Sequence, residues 1–236
     1  MLDKISTFLF PTHCISCKKY GDMICNRCST KLRVHPYICP VCHKRSDYFQ
    51  VCKNCKVWWV EFDGLDIVFY YDNIIKKLLL QMKYYHKYSI VDFFVKKLTL
   101  NSLSNPILSS IINDKKHTLI TYVPSYRRRR YMVKWYNQAQ LLASWFAEYN
   151  DMRYADLFKK IHHTRTQAGL DRRARLTNLS WSFALNQKYD LSQIYNIIII
   201  DDVTTTWSTI NQLAKLLKSN YPALKVRWVV IGRNNR

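Results

Sequence analysis

The chain has 236 residues, 48% of them hydrophobic, so it can bury a core of ordinary size and is not disordered as a whole. Its 37 Lys and Arg outnumber its 16 Asp and Glu and give a formal charge of +21, which favours anionic partners such as nucleic acid or phosphorylated metabolites. A solvated basic surface is the alternative. No apolar run is long enough for a membrane span or a signal peptide, so we expect a cytoplasmic protein without a membrane span.

All eight cysteines lie near the N-terminus, in four C-x2-C pairs. They are Cys14, Cys17, Cys25, Cys28, Cys39, Cys42, Cys52 and Cys55. Two such pairs can supply the thiolates of a tetrahedral zinc site, whereas a disulfide framework belongs to oxidising compartments. Short loops favour grouping the first four and the last four cysteines over an interleaved arrangement, because longer loops cost more entropy on closure. We predict two closed, structural zinc ribbons in residues 1–58 and a main domain in residues 59–236.

Hydrophobic periodicity predicts alternating strands and helices in the main domain. Strands are predicted at 65–71, 118–123, 197–200 and 226–231, and helices at 74–88, 138–149 and from 210 onward. The segment 101–116 is predicted to be a loop or a short helix. The four consecutive isoleucines at 197–200 fit a strand buried on both faces of a parallel sheet. The predicted fold class is therefore α/β, with a parallel sheet flanked by helices.

Two basic stretches are candidate anion-binding segments. The first, which follows Pro124 and Ser125, contains Arg127, Arg128, Arg129, Arg130 and Lys134 with aromatic residues between them. Beside a strand end, such a loop can hold a pyrophosphate or a nucleic-acid backbone, although adjacent arginines are more often a solvated face. The second stretch, at 162–178, is predicted to be either a lid over an anionic substrate or an amphipathic helix with a solvated basic side.

The segment 196–209 joins the isoleucine strand to two acids and a run of hydroxyls. The residues after the isoleucines are Asp201, Asp202, Val203, Thr204, Thr205, Thr206, Trp207, Ser208 and Thr209. Carboxylates at the carboxyl end of a strand can accept hydrogen bonds from ribose hydroxyls, and a helix N-terminus favours a phosphate. The pattern predicts a site for a phosphorylated sugar; a buried strand with an ordinary Thr-rich helix cap is the alternative.

This segment resembles the motif with which phosphoribosyltransferases bind phosphoribosyl pyrophosphate (PRPP), except that Trp207 replaces a glycine. The double zinc ribbon, the Val-Pro before the basic run, Y-N-Q-A at 136–139, T-x-x-Q at 164–167 and R-x-x-N at 175–178 extend the resemblance. Together they make nearly the whole chain resemble the ComF family. Members of that family have a phosphoribosyltransferase fold, are linked to DNA uptake in natural competence, and are often described as amidophosphoribosyltransferase-like.

The resemblance implies roles for the residues named above. Asp201 and Asp202 would hold the ribose hydroxyls with Mg²⁺ nearby, residues 204–209 would cradle the 5-phosphate, and Val203 between them would belong to the same PRPP-binding segment. Pro124 and Ser125 would lie in the pyrophosphate loop. The flexible hood would contain Thr164, Gln167, Arg173 and Arg175. Arginines and Mg²⁺ would stabilise the pyrophosphate leaving group, while no catalytic base or acceptor is implied.

Two functions stay open at this point. The first is a PRPP-binding transferase of the glycosyltransferase class, or a PRPP-binding regulator. The second is a competence factor that binds single-stranded DNA and keeps a degenerate, non-catalytic PRPP site. In either setting, a competence helicase would be the natural protein partner.

Tryptophans stand where the family has glycine, at Trp135, Trp181 and Trp207. The chain has only 4 glycines, where an average usage of about 7% would give roughly 16. Glycine lets a loop approach a phosphate closely and adopt φ > 0, which tryptophan tolerates poorly. One hypothesis is that UGA codons meaning glycine were translated as tryptophan, with positions 58, 59, 145 and 228 sharing this origin. The other is that Trp207 is genuine and the PRPP site degenerate.

Overall fold

A five-stranded parallel sheet forms the centre of the main domain in a computed structural model that describes residues 13–57, 59–85, 88–125, 137–161 and 182–234. Its strands are β1 (Gly64–Tyr70), β2 (Thr118–Tyr122), β3 (Arg153–Tyr154), β6 (Asn196–Thr204) and β7 (Lys225–Arg233). Their order across the sheet is β1-β7-β6-β2-β3, and all neighbours are parallel. Two shorter strands, β4 (Phe158–Lys160) and β5 (Phe183–Leu185), form a separate antiparallel pair.

The isoleucine strand β6 lies at the middle of the sheet, as expected for a strand buried on both faces. Ile197 and Ile199 contribute to the core on one face, and Ile198 and Ile200 to the core on the other. None of the four is more than 1% exposed. The alternation follows from the two-residue period of a strand. The carboxyl end of this strand therefore has a fixed position between β7 and β2.

Helices cover both faces of the sheet. Those of the main domain are α3 (Asn73–Tyr85), α4 (Tyr88–Ser104), α5 (Pro106–Asn113), α6 (Gln138–Tyr149) and α7 (Ser208–Asn220). Helices α3 to α6 pack on one face, whereas α7 and the β4–β5 pair pack on the other. Helix α5 begins sharply because Asn105 caps it through its side chain and proline occupies the first turn.

The N-terminal module lies along the free edge of β1. It contains two short helices, α1 (Asn26–Ser29) and α2 (Lys53–Lys56). The His35 N–H donates to the Val68 oxygen at 3.0 Å, and the Tyr70 N–H donates to the Arg33 oxygen at 3.0 Å. These bonds satisfy backbone groups that an edge strand would otherwise expose. The module is thus bonded to the sheet itself.

The predicted fold class is confirmed, with differences in the elements. The predicted strand at 197–200 continues through both acids to Thr204, because these residues still pair with β7. The predicted helix at 74–88 corresponds to α3 and the first residue of α4, and most of α4 was not predicted. The division at residue 58 stays a prediction. Within the described ranges, no helix is both long and apolar enough to cross a bilayer.

Candidate functional site

Each half of the N-terminal module gathers four cysteine sulfurs. The first set is Cys14, Cys17, Cys25 and Cys28, and the second set is Cys39, Cys42, Cys52 and Cys55. Within each set the sulfurs lie within 4.8 Å of one another. A tetrahedral zinc site with Zn–S bonds of about 2.3 Å separates its sulfurs by about 3.8 Å. The Sγ–Sγ distances of 3.6 Å for Cys17–Cys25 and 3.8 Å for Cys42–Cys52 fit this spacing, so both sets can hold structural zinc in the sequential grouping that we favoured.

The local backbone favours the thiolate form that zinc binds. Burial opposes ionisation of Cys14, but backbone N–H groups outweigh it and lower the pKa of this thiol to about 6. In the second set, burial is likewise outweighed by backbone N–H groups, and the pKa of Cys39 falls to about 7. Amides directed at sulfur therefore prepare one ligand of each set for a cation.

The acid pair lies near the carboxyl end of strand β6, next to the loop that leads into α7. The Asp202 N–H donates to Asp201 Oδ1 at 2.9 Å, and the Val203 N–H donates to Asp202 Oδ1 at 2.9 Å. Both acids are half-buried. Burial, followed by the charge of Asp202, raises the pKa of Asp201 well above its usual range. The pair therefore concentrates hydrogen-bond acceptors and negative charge at one strand end.

A hydroxyl-rich turn follows the acids. Buried Thr204 donates from Oγ1 to the Thr206 oxygen at 2.9 Å, while Thr206 Oγ1 and Ser208 Oγ lie 2.9 Å apart. Thr205 and Thr206 are exposed. Helix α7 starts at Ser208 without a side-chain cap from residue 207, which leaves its first N–H groups available to a ligand. This turn has the chemistry of a phosphate cradle.

Lys83 of α3 contacts the acid pair and was not among the predicted site residues. Its Nζ lies 2.6 Å from Asp202 Oδ2, and the side chains are 26% and 14% exposed. Burial opposes the charge on Lys83, but the two carboxylates raise its pKa. The signal was present, because Ile75, Leu79 and Lys83 follow one another at four-residue intervals on the buried stripe of the helix.

The start of the predicted pyrophosphate loop lies beside the acid pair. Tyr122 pairs with Ile200, so buried Pro124 and exposed Ser125 leave the sheet next to Asp201 and Asp202. Carboxylate oxygens are the donors that Mg²⁺ prefers, and Asp201 and Asp202 fit that requirement. A cleft of about 550 Å³ opens at the ends of β1 and β7, lined by Tyr71, Asp72, Asn73, Lys76 and Asn234.

Several predicted site residues lie outside the described ranges. They are Arg127, Arg128, Arg129, Arg130 and Lys134, then Thr164, Gln167, Arg173 and Arg175, and also Trp135 and Trp181. The described ends of the second of these segments lie side by side, because β4 pairs with β5 and the Ile161 N–H donates to the Ser182 oxygen at 2.9 Å. Ile161 and Ser182 therefore lie at one place on the α7 face of the sheet.

The backbone at Trp207 differs from our expectation. Its φ is −79°, so this position does not use the left-handed conformation that favours glycine. Its indole is half-buried and lies 6.5 Å from the ring of Phe62, measured between centroids. The left-handed conformation occurs instead at Trp59, where φ is 62° and the side chain is 84% exposed.

Comparison with known proteins extends the resemblance to almost the entire chain. Competence protein F of Haemophilus influenzae is 28% identical over 224 residues, which cover 89% of this chain and 92% of that protein. Competence protein ComFC of Bacillus subtilis is 25% identical over 92% of this chain and 86% of its own length. DNA utilization protein YhgH of Escherichia coli K12 is 26% identical over 87% of this chain and 88% of its own. No family model matches the sequence. Relatives of this kind, aligned along nearly its full length, support the resemblance of the chain to the ComF family.

Proposed function

We propose that this protein binds PRPP, or a related 5-phosphoribosyl ligand, at the carboxyl end of β6 and acts in the uptake or utilisation of DNA. The observation that carries the first part is the placement of Asp201 and Asp202 directly before a hydroxyl-rich turn and the uncapped start of α7. Ribose hydroxyls need hydrogen-bond acceptors and a 5-phosphate needs donors, and the chain offers them in that order. The names of the relatives support the second part.

Each half of the site would have a separate task. The carboxylates of Asp201 and Asp202 would accept the two ribose hydroxyls, and the turn at 203–209 would surround the 5-phosphate with amides and hydroxyls. Pro124 and Ser125 would lie against the pyrophosphate, with the predicted hood arginines above it. Mg²⁺ would neutralise charge on the pyrophosphate oxygens. We place the acceptor in the adjoining cleft between β1 and β7, which touches the turn through the Asn234 N–H bonded to the Thr204 oxygen at 3.0 Å.

Titration of PRPP into zinc-loaded protein by calorimetry tests this function, with and without Mg²⁺. We expect saturable binding that requires Mg²⁺ and weakens at least tenfold in Asp201→Asn and in Asp202→Asn, because each loses a charged acceptor worth about 1.5–3 kcal/mol. Asp151→Asn is the matched control, since that side chain is 93% exposed and pairs with Lys115 at the surface. Absence of PRPP binding in the zinc-loaded protein would refute the proposal.

Binding of single-stranded DNA is the second candidate function, and the charge of the N-terminal module favours it. In its described part, residues 13–57, every Lys and Arg side chain is exposed: Lys18, Lys19, Arg27, Lys31, Arg33, Lys44, Arg45, Lys53 and Lys56. The basic run from Arg127 to Arg130 and Lys134 would add to this surface. The arrangement of the thiols as metal ligands suits a reducing compartment such as the cytoplasm, where a competence helicase is the partner that we expect.

Fluorescence anisotropy with a labelled oligo(dT) strand tests the second candidate. Affinity should fall as salt rises, with a slope that decreases by about 0.7 for each phosphate contact removed. A variant with glutamine at positions 127–130 is compared with one carrying Lys53→Gln and Lys56→Gln, which shows whether the loop or the module carries the contacts. Salt-independent or absent binding would refute a role in holding DNA.

A further inference from the structure

Arg233, the last residue of β7, is a buried cation that has no acidic partner. It is 5% exposed, and within the described ranges no carboxylate lies at ion-pair distance from it. Its Nη1 donates to the Pro40 oxygen at 3.1 Å and its Nη2 contacts His43 Nε2, while its Nε has no hydrogen-bond partner among the residues that the structure describes. A buried charge is costly unless an opposite charge compensates it. Arg233 therefore requires a negative charge from another group nearby.

Both residues that Arg233 contacts are sequence neighbours of cysteines in the second set. Pro40 lies between Cys39 and Cys42, and His43 directly follows Cys42. The guanidinium therefore lies against the segment that carries Cys39 and Cys42. Four thiolates around one Zn²⁺ leave a formal charge of about −2. The metal-loaded set thus offers the negative charge that Arg233 lacks.

The backbone of the same residue borders the candidate sugar-phosphate turn. Arg233 pairs with Thr204 of β6 in the sheet, and the next N–H, that of Asn234, donates to the Thr204 oxygen at 3.0 Å. Thr204 in turn donates to the Thr206 oxygen. One residue therefore connects the second cysteine set to the turn that follows the acid pair.

We propose that the second cysteine set, loaded with zinc, is the counter-ion of Arg233, and that Arg233 is a positioning residue holding the end of β7 beside the turn. The first half of this inference concerns only the metal site. The second half rests on the proposed function, because it expects the metal site to influence a phosphoribosyl ligand. The first cysteine set packs with the α3–α6 face of the sheet and serves as an internal reference.

The metal half is tested on the full chain loaded with ¹¹³Cd, in which each tetrathiolate site gives its own NMR signal. In Arg233→Gln, which removes the charge and keeps a polar side chain, we expect one signal to shift and its ion to leave to a chelator at least tenfold faster. The other signal should keep its position and rate. Arg233→Lys retains a cation and should release both ions at rates close to those of the unchanged chain.

Three outcomes would overturn the counter-ion inference. The first is that Arg233→Gln releases cadmium at the rate of the unchanged chain. The second is that this variant releases cadmium equally faster from both sites. The third is that Arg233→Lys and Arg233→Gln release it equally faster, which would make the shape of the side chain the cause. If Arg233→Gln does not fold, the lysine variant decides by itself: ion release at the original rate, in a folded chain that has lost the guanidinium fork, supports a charge role. Accelerated release would refute it.

The coupling half uses ribose 5-phosphate as the probe, titrated into the zinc-loaded variants. Arg233→Gln should weaken its binding several-fold although Arg233 does not contact the ligand, and Arg233→Lys should weaken it less. Unchanged affinity in Arg233→Gln would refute the coupling. If the unchanged chain binds neither ribose 5-phosphate nor PRPP, the proposed function fails, and the cadmium experiment still decides the counter-ion inference.

Discussion

The buried ion pair between Arg227 of β7 and Asp66 of β1 offers a sharp test of how the N-terminal module is fixed to the sheet. Arg227 Nε and Nη2 donate to Asp66 Oδ2 at 3.0 and 2.8 Å, and Nη2 also donates to the Tyr48 oxygen of the module at 2.7 Å. The side chains are 3% and 0% exposed. Asn105 completes the group by donating to Asp66 Oδ1. Replacing Asp66 by Asn retains its shape, removes its charge and turns one of its two acceptor oxygens into an N–H donor.

We expect Asp66→Asn to lower the free energy of unfolding by about 3–5 kcal/mol, because a guanidinium cannot lose its proton and would be left buried without a counter-charge. In a chain of this size, each kcal/mol of lost stability lowers the melting temperature by about 2–4 °C, so the melting temperature should fall by roughly 6–20 °C. The remaining bond from Arg227 to the Tyr48 oxygen is too weak to compensate a full charge.

Arg227→Met should respond differently to pH. Burial already raises the pKa of Asp66, and loss of Arg227 raises it further. The folded variant then binds a proton that the unfolded chain has released, so its stability falls as pH rises above the ordinary carboxyl pKa and recovers as pH falls. Asp66→Asn has no such carboxyl, and because the pKa of Asp66 is raised in the unchanged chain, its deficit relative to that chain should narrow as pH rises.

Urea unfolding of zinc-loaded protein at several pH values measures both effects. The double variant, with Asp66→Asn and Arg227→Met, should be less destabilised than the sum of the single variants, because it leaves no buried charge. A cost below about 1 kcal/mol for Asp66→Asn, or an additive double variant, would show that the pair does not hold the module.

Three further predictions concern the site and its metals. Lys83→Met should cost about 1–3 kcal/mol by leaving the Asp202 carboxylate without its cation, whereas Lys76→Met on the exposed side of α3 should change the urea midpoint little. Asp201→Asn should gain stability relative to the unchanged, ligand-free chain as pH rises above the ordinary carboxyl pKa, because the raised pKa of Asp201 makes its ionisation unfavourable in the folded state. A difference in melting temperature between the two chains that is the same at acidic and alkaline pH would contradict this. Zinc release to a colorimetric chelator should reach two equivalents per chain once the thiols are modified, and one equivalent would refute the two-site assignment.

The sequence was most informative where one local rule acted alone. The isoleucine run and the hydroxyl turn predicted the central strand and its exit, and the spacing of the cysteines predicted both metal-type clusters. What the sequence did not reveal depends on packing between distant segments. Lys83 reaches Asp202 only because α3 lies over that strand end, and Arg233 meets Pro40 only because the module folds back along β1. Periodicity can place such a residue on the buried side of its helix, as it does for Lys83, but it does not identify the distant partner.

The tryptophans do not behave alike, which bears on the hypothesis of recoded glycine. Trp59 is exposed in a left-handed conformation that costs a bulky residue about 1–2 kcal/mol, so glycine suits that position. Trp228 is 1% exposed within the core beside α7, and a glycine there would leave a cavity. Trp207 is intermediate, with a negative φ and a half-buried ring against Phe62.

These surroundings predict opposite effects for the same change. Trp59→Gly should be neutral or stabilising by up to about 1 kcal/mol, because relief of strain exceeds the small loss of burial. Trp207→Gly should cost about 1–2 kcal/mol through the lost aromatic contact, yet tighten ribose 5-phosphate binding by opening the turn to the phosphate. Trp207→Phe, which retains a ring, is the control and should not gain affinity.

UGA codons at positions 135, 181 and 207 of the gene would make glycine the native residue of the turn and a working PRPP site the leading function. UGG codons, together with a Trp207→Gly variant that binds no tighter, would refute recoding and leave DNA binding as the function that the chain supports better.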